Sequence, residues 1–213
     1  MYKSTKKHAF LAGAATVALT ASASSMAFNL VPNGDFESGG DSFGQDAGGG
    51  AAISFESTGG NTGGYMQFDN TSAAWGGVGI STDDPAGALL ADFGVVAGGT
   101  YDFQVDINVF SGSGTKGGLK LESWDENGVI SDTGDIFFAQ AGEVSGWNTY
   151  STTYTIESTA TRLKIVLLAI DNESVYGYDN LGIVGGTAPV PVPAAASLFG
   201  SAIAGLAAAR RKK

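Results

Sequence analysis

Carboxylates are the most numerous side chains of this chain that could exchange a proton or bind a metal. The 213 residues include 21 Asp and Glu against 11 Lys and Arg, no Cys and a single His. That histidine, His8, lies in the N-terminal segment 1–27, which has the features of a removable leader. The rest of the chain therefore has no imidazole and no thiol, which excludes Ser-His-Asp and Cys-His catalysis and zinc sites built from His or Cys.

The acidity is concentrated between residues 28 and 187. All 21 acidic residues lie there with only four basic ones, so this segment carries a formal charge of −17. The four basic residues are Lys116, Lys120, Arg162 and Lys164. A field of this sign repels phosphate backbones, which argues against nucleic acid as a partner. It favours cations such as calcium, whose ligands are carboxylate and carbonyl oxygens.

Paired carboxylates are the enzymatic chemistry that these residue types leave open. Glycoside hydrolysis needs two of them about 5 to 9 Å apart, one with a raised pKa. Asp106 with Glu122 is the pair that the pattern suggests. Because acid-rich surfaces form such pairs by chance, we expect a non-catalytic protein.

Alternating apolar and polar residues indicate the elements that position these side chains. Between residues 100 and 109, large apolar side chains at every second position share one face and polar side chains share the other, as in a half-buried strand. The same alternation recurs at 119–122, 150–156 and 162–168, and in the last run Val166 and Leu168 on the second face indicate deeper burial. Turn-forming clusters separate these runs, and no amphipathic helix is evident between the ends. We therefore predict an all-β fold, an antiparallel β-sandwich, for residues 28–187.

Glycan sites combine aromatic rings with polar groups for hydroxyls, and two of the predicted strands offer such groups. The candidate ligand-binding residues are Trp124, Trp75, Gln104, Asp106, Asn108 and Glu122. If the strands around 104–108 and 120–124 lie in one sheet, their polar rows form one surface with an aromatic at its edge. The alternative is that the rows are no more than a solvated sheet face.

Four stretches resemble, in the same order, carbohydrate-binding modules with the galactose-binding-like jelly-roll fold. They are residues 29–37, with the sequence Asn-Leu-Val-Pro-Asn-Gly-Asp-Phe-Glu, and residues 95–105, 147–156 and 175–181. The resemblance implies a jelly roll and a role in binding polysaccharide. It also implies that Trp147 packs in the core.

The same resemblance implies a structural calcium that joins the first strand to the last. Matched residue by residue, the ligands would be the side chains of Glu37 and Asp179 and the carbonyl of Asp35, with a further carbonyl from residues 61–64. The alternative is that Glu37 and Asp179 are ordinary hydrated carboxylates at the rim of the sandwich.

The N-terminal segment 1–27 has the pattern of a secretory signal peptide. Lys3, Lys6 and Lys7 precede a short apolar run, and small residues end at Ala27. The apolar run is shorter than the roughly 18 residues that a transmembrane helix needs. We therefore expect signal peptidase to process the chain during export.

The C-terminal segment 188–213 combines a proline motif, an uncharged apolar run and the basic end Arg210-Arg-Lys-Lys. The motif consists of Val190, Pro191, Val192, Pro193, Ala194 and Ala195. This combination resembles the PEP-CTERM sorting signal of Gram-negative bacteria, with Pro-Val-Pro in place of the usual Pro-Glu-Pro. The resemblance implies a hydrophobic sorting helix that contacts the membrane transiently and is removed by an exosortase. Delivery would be to the cell envelope, the cell surface or an exopolysaccharide matrix.

Together these observations predict an exported, non-catalytic envelope or matrix protein whose jelly roll binds polysaccharide. The first alternative is a purely structural surface or biofilm protein without glycan specificity. The second is a carboxylate-dependent glycan-active enzyme.

Overall fold

The computed structural model describes residues 31–45, 51–71, 75–80, 86–112, 116–140, 145–170 and 174–187. The predicted leader, 1–27, and the predicted sorting segment, 188–213, with its motif Val190 to Ala195, lie outside the described residues. Within the described ranges, no helix is long and apolar enough to cross a membrane.

Twelve strands and one short 3-10 helix make up the described elements. The strands are β1 (Phe43–Gln45), β2 (Ala52–Glu56), β3 (Tyr65–Asp69), β4 (Trp75–Ile80), β5 (Ala88–Leu89), β6 (Thr100–Ser111), β7 (Lys116–Asp125), β8 (Gly128–Asp132), β9 (Ile136–Gln140), β10 (Asn148–Thr155), β11 (Arg162–Ile170) and β12 (Val175–Thr187). The 3-10 helix, Leu90–Phe93, follows β5. The prediction of an all-β chain is confirmed for the described residues.

The strands form two antiparallel sheets. One sheet has seven strands: β1, β4, β11, β7 and β8 lie side by side in that order, β5 pairs with β11, and β9 pairs with β7. The other has five strands in the order β10, β6, β12, β3 and β2. Consecutive strands often lie in different sheets, so the chain crosses repeatedly between the two layers of a β-sandwich.

The core lies between the sheets and is built from the alternating apolar positions. On β6, Tyr101, Phe103, Val105 and Ile107 point inward and are buried. On β11, Val166 and Leu168 on the outer side are buried as well as the inward residues, which confirms the prediction that this strand is more deeply buried. Full burial of apolar side chains of this size contributes about 1.5 to 3 kcal/mol each.

Two buried hydrogen bonds join the sheets across the apolar layer. The Tyr178 hydroxyl on β12 donates to the Leu168 carbonyl on β11. The Ser123 hydroxyl on β7 and the Tyr154 hydroxyl on β10 lie 2.7 Å apart. Burial raises the pKa of the Tyr178 hydroxyl well above its usual value, so it stays protonated and remains a donor.

The segment before β1 is attached to the last strand. The Leu181 amide donates to the Gly34 carbonyl at 2.8 Å. Phe36 is buried in the core next to this contact. The start of the domain is thereby placed beside β12, where two of the predicted metal ligands meet.

Candidate functional site

The two polar rows predicted to form one surface lie in different sheets. β6 carries Gln104, Asp106 and Asn108 and belongs to the five-stranded sheet, whereas β7 carries Glu122 and Trp124 and belongs to the seven-stranded sheet. Each row faces away from the core, so the rows lie on opposite sides of the sandwich, whose layers are about 10 Å apart. The predicted composite surface is therefore wrong, and Asp106 and Glu122 do not form a carboxylate pair.

The outer face of the seven-stranded sheet, which we call the Trp124 face, contains a straight row of paired residues. Leu89 pairs with Arg162, Arg162 pairs with Trp124, and Trp124 pairs with Val129. Leu89 and Val129 are 47% and 44% exposed, which is unusual for large apolar side chains. Strands lie about 4.8 Å apart, so this row spans roughly 14 Å across the sheet.

Charged neighbours fix the orientation of the Trp124 ring. The indole N–H donates to Glu122 Oε2 at 2.8 Å, and Glu122 Oε1 forms an ion pair with Lys120 Nζ at 2.7 Å. The hydrogen bond with Glu122 raises the pKa of Lys120, so the Lys120 ammonium stays protonated at neutral pH. Lys164 Nζ lies 6.0 Å from the centre of the indole, at the outer limit of a cation–π contact. Because its N–H is used internally, Trp124 offers a bound molecule the surface of its ring.

A pocket of about 560 Å³ lies beside the indole, within the range typical of small-molecule sites. It is lined by Ala86, Leu89, Trp124, Asp125, Glu126, Asn127, Gly128, Thr161 and Arg162. Asp125 Oδ1 accepts the amides of Asn127 and Gly128 at 2.7 and 3.1 Å and so fixes the β7–β8 turn that forms one wall. The pocket thus combines an aromatic ring with donors and acceptors.

The other predicted tryptophan, Trp75, belongs to the same sheet at the opposite end of β11. Its backbone pairs with Ile170, which lies two residues after Leu168 on β11. That position belongs to the Trp124 face. Only the backbone of Trp75 is described. Its contribution to ligand binding stays a prediction.

The outer face of the five-stranded sheet, which we call the Asp106 face, holds the other predicted row. Asp106 is only 2% exposed. Its Oδ1 accepts the Thr149 hydroxyl at 2.5 Å, and its Oδ2 accepts the side-chain amides of Asn61 and Asn180 at 2.7 and 2.8 Å. Asp106 therefore holds β10, the 59–64 loop and β12 together. Gln104 and Asn108 are half-buried on the same face.

Two of the predicted metal ligands lie on either side of the 59–64 loop. Glu37 Oε1 accepts the Gly64 amide at 2.9 Å, and Asp179 Oδ2 accepts the Thr62 amide at 3.1 Å. At Gly63 φ is +80°, which favours glycine, and an added Cβ would lie 1.9 Å from Glu37 Oε1 and so displace that carboxylate from the loop. The structure thus brings Glu37 and Asp179 to one loop, as the resemblance implies.

The carboxylates around this loop accept hydrogen bonds but have no cationic side chain of residues 28–187 on their face. Asp179 is completely buried and pairs across the sheet with Asp106. Burial raises the pKa of Asp179 and the charge of Asp106 raises it further, while backbone amides of the loop oppose the shift. All four cationic residues of 28–187 lie on β7 and β11, in the other sheet. A bound cation would relieve the burial of this charge.

The donor set fits a hard cation such as calcium. Carboxylates of Glu37 and Asp179 and carbonyls of the 59–64 loop are the oxygen ligands that calcium prefers. No cluster of three His, Cys, Asp or Glu side chains suited to a metal occurs among the described residues, so carbonyls would have to complete the site. Asp35 lies at the turn before Glu37, where its side chain accepts the Glu37 amide at 3.4 Å. The calcium site stays a prediction.

An aromatic cluster on the Asp106 face was not predicted. The ring centres of Tyr65 and Phe110 and those of Tyr65 and Trp147 are 5.5 Å apart, and the three rings cover Gly177 of β12. The Trp147 N–H donates to the Gly59 carbonyl at 3.1 Å. Trp147 therefore packs outside the sandwich, against the five-stranded sheet, and the expectation that it lies in the core is wrong. One signal was available in the sequence, because Phe110 continues the polar side of the β6 alternation.

Comparisons with solved structures place this chain among jelly-roll-like β-sandwiches. The tandem CBM22-1–CBM22-2 domains of Paenibacillus barcinonensis Xyn10C superpose with a TM-score of 0.55 at 17% identity, covering 81% of this chain and 49% of that one. A xylan-binding domain from CBM22 gives 0.51 at 21% identity, covering 72% and 94%. The enzymatically active domain of bacteriophage CBA120 tailspike protein 4 gives 0.54 at 12% identity, covering 75% of this chain and 21% of that one.

These likenesses confirm the predicted fold. At such identities they show the fold alone, and this fold supports many functions. The chain spans about a fifth of the tailspike domain and about half of the tandem modules. No protein-family model matches the sequence, and no sequence of a curated protein matches it.

Proposed function

We propose that the β-sandwich binds a polysaccharide on the Trp124 face. The observation that carries this proposal is the fixed, partly exposed indole beside a pocket, flanked in register by exposed Leu89 and Val129. Carbohydrate-binding modules of the same fold, one of them a xylan-binding domain, support it.

The arrangement suggests how a sugar chain would lie. The apolar face of one ring stacks on Trp124, whose orientation Glu122 maintains. Hydroxyls of the sugar exchange hydrogen bonds with Asn127 and Arg162 in the pocket. Because the Leu89–Val129 row is longer than one sugar ring, the face suits a polymer better than a monosaccharide. Trp75, at the other end of β11, is a candidate to extend the same face.

We further propose a structural calcium held by Glu37 and Asp179, with carbonyls of Asp35 and the 59–64 loop. When bound, calcium would supply positive charge that joins the start of the domain to β12. This site lies on the Asp106 face, so its role is to stabilise the fold and not to contact the glycan.

The proposed cellular role combines binding with export. The signal-peptide pattern of residues 1–27 and the PEP-CTERM-like segment 188–213 support processing by signal peptidase and an exosortase, with delivery to the envelope or an exopolysaccharide matrix of a Gram-negative bacterium. In this proposal the protein is non-catalytic and retains or organises polysaccharide outside the cell.

Retention of the purified protein on insoluble polysaccharides and in affinity gels tests the binding proposal. Trp124→Ala should weaken retention roughly 30-fold, because stacking one sugar face removes on the order of 80 Å² of apolar surface from water, about 2 kcal/mol. Phe110→Ala is the matched control, since Phe110 is an exposed aromatic, 45% accessible, on the opposite face. Equal retention of wild type and Trp124→Ala would refute this site. No retention on any polymer would favour a purely structural role, and release of reducing sugar would favour an enzyme.

A further inference from the structure

One edge of the five-stranded sheet lacks the features that usually keep sheet edges from pairing. β10 lies at this edge, and β6 is its one partner strand among the described residues. It is eight residues long, pairs with β6 over its whole length without a register shift, and contains neither a charged residue nor a proline. Proteins commonly protect exposed edges with charges, prolines, bulges or very short strands. β10 is therefore open to pairing with a further strand.

The other edge strands of the described residues are protected. At the opposite edge of the same sheet, β2 has five residues and ends in Glu56. In the seven-stranded sheet, β1 and β5 have three and two residues, and β8 and β9 pair with β7 across register shifts. Among the described strands, β10 alone combines length, regular pairing and the absence of charge at an edge.

The pairing of β10 with β6 shows which of its backbone groups point away from the sheet. The Ile156 amide donates to the Gly99 carbonyl, and the Ile156 carbonyl accepts the Gly98 amide, both at 2.9 Å. Because backbone groups of an antiparallel strand alternate in direction, those of residues 148, 150, 152 and 154 also point toward β6. The outward amides and carbonyls belong to exposed residues, namely Thr149, Ser151, Thr153 and Thr155.

The side chains of these four residues form a row of hydroxyls beside β6. The Thr149 hydroxyl donates to Asp106 Oδ1 at 2.5 Å. The Thr153 hydroxyl donates to Asp102 Oδ1 at 2.7 Å. The row is thereby fixed in position, and it contains no charge. Since Thr–Thr and Thr–Ser are favourable cross-strand pairs, the row is complementary to a second copy of itself.

The charge of the domain favours the β10 side for contact between two copies. Residues 28–187 carry a formal charge of −17, so two copies repel each other in most orientations. β9, behind β10 in the other sheet, is also uncharged, and its Phe138 ring stacks on the Tyr150 ring at 5.4 Å. If two β10 strands pair, the carboxylates of the two β6 strands lie three strand spacings apart. This separation of about 14 Å exceeds the Debye length of about 8 Å at physiological salt.

We propose that β10 is a self-association site, at which β10 strands from two copies of this chain pair antiparallel. A two-fold axis at Thr152 places Ser151 opposite Thr153 of the second copy and Thr149 opposite Thr155 of the second copy. All four outward amides and carbonyls of each strand are then hydrogen-bonded, and the two five-stranded sheets become one sheet of ten strands. Because both copies use the same edge, the contact closes as a dimer and does not propagate.

The dimer goes beyond the proposed function and does not depend on it. A two-fold axis perpendicular to the joined sheet turns the Trp124 faces of both copies to the same side. One dimer would therefore engage a polymer at two sites, and retention would increase without any new contact to the sugar.

Sedimentation equilibrium of the purified protein without polysaccharide tests the site. A pair of edge strands is smaller than a standard interface, so we expect a weak dimer with a dissociation constant on the order of 10 to 100 μM. Ser151→Pro removes an outward amide and leaves the bonds to β6, since an edge strand tolerates proline where its N–H faces solvent. It should weaken the dimer about tenfold, because one intermolecular hydrogen bond per copy is lost. Ser151→Ala is the matched control: it keeps the amide and should dimerise like the wild type.

Disulfide cross-linking gives a second measurement that does not require Ser151→Pro to fold. The chain contains no cysteine, so single-cysteine variants can be mixed. Ser151→Cys mixed with Thr153→Cys should form a linked heterodimer, because directly opposite residues lie about 5.5 Å apart, within the reach of a disulfide. Ser54→Cys, on β2 at the opposite edge of the same sheet, is the control and should cross-link at least about tenfold more slowly.

Several results would overturn the proposal. These are a protein that stays monomeric up to about 1 mM, an assembly larger than a dimer, and a dimer that persists in folded Ser151→Pro. Cross-linking through Ser54→Cys as fast as through the β10 variants would overturn it as well. Each of these results leaves polysaccharide binding at the Trp124 face standing, because that binding is measured by retention and by Trp124→Ala.

Discussion

Calcium should raise the melting temperature of this protein, and chelation should lower it. The reason lies in Asp179, which is completely buried beside Asp106 with no cationic side chain of residues 28–187 on that face. Calcium at a hundredfold excess over its dissociation constant would stabilise the folded state by about 2.7 kcal/mol. For a domain of this size each kcal/mol shifts the midpoint by about 2 to 4 °C, so we expect a shift of about 5 to 11 °C.

Matched carboxylate variants locate the effect. Glu37→Gln keeps an oxygen that can accept the Gly64 amide but removes the charge, so most of the calcium-dependent shift should be lost. Asp102→Asn is the control, because Asp102 is an exposed carboxylate on the same face whose described partner is the Thr153 hydroxyl at 2.7 Å. This variant should retain the full shift. Differential scanning calorimetry in calcium and in chelator measures both.

Trp147 provides an independent optical signal. Its N–H donates to the Gly59 carbonyl, at the start of the loop whose amides hold Glu37 and Asp179. Calcium should therefore change the tryptophan emission of the wild type, and Trp147→Phe should abolish that change while keeping the melting shift. A midpoint that is identical in calcium and chelator would refute the reasoning, as would a shift that survives Glu37→Gln.

Further predictions concern the core and the tail. Tyr178→Phe should lower the free energy of unfolding by about 1 to 3 kcal/mol in a denaturant titration, because it removes the buried donor to the Leu168 carbonyl; an unchanged midpoint would contradict the inter-sheet bond. Gly118→Ala should destabilise at least as much, since its Cβ would lie 1.9 Å from the Ile136 carbonyl oxygen of β9; a wild-type melting curve would contradict that packing. Mass spectrometry of exported protein should find no residues beyond about 190, and an intact basic C-terminus would refute removal of the tail.

Alternation predicted individual strands well because it reports one property, namely which side chains face the core. The inward apolar residues of β6 follow from it directly, and so does the deeper burial of β11, but the burial of Asp106 on the polar side of β6 does not. Alternation contains no information on which strands pair. β6 and β7 follow each other in the chain and have the same pattern, yet they belong to opposite sheets. A surface that joins the rows of Gln104 and Glu122 requires both strands to lie in one sheet, and that condition is not met.

For the sites, too, the sequence predicted part of the arrangement and missed the part that depends on tertiary contacts. The resemblance brought Glu37 and Asp179 together across 142 sequence positions, and the structure places both at one loop. The hydrogen bonds of that loop depend on tertiary contacts that no local pattern contains. The prediction that Trp147 packs in the core is wrong for a related reason. The sequence does not reveal that Gly177 leaves room for three rings on the outside of β12.

The contacts of Asp106 and Glu122 argue against a catalytic role for these two carboxylates. A general acid or base must exchange a proton with a substrate, which requires an oxygen within hydrogen-bond reach of it. Asp106 uses both oxygens to accept protein donors and is 2% exposed. Glu122 uses both as well, one for the Trp124 indole and one for Lys120, and is 7% exposed. Each carboxylate therefore acts by positioning its neighbours: Asp106 holds the loop beside the proposed cation site, and Glu122 holds the ring on which a sugar would stack.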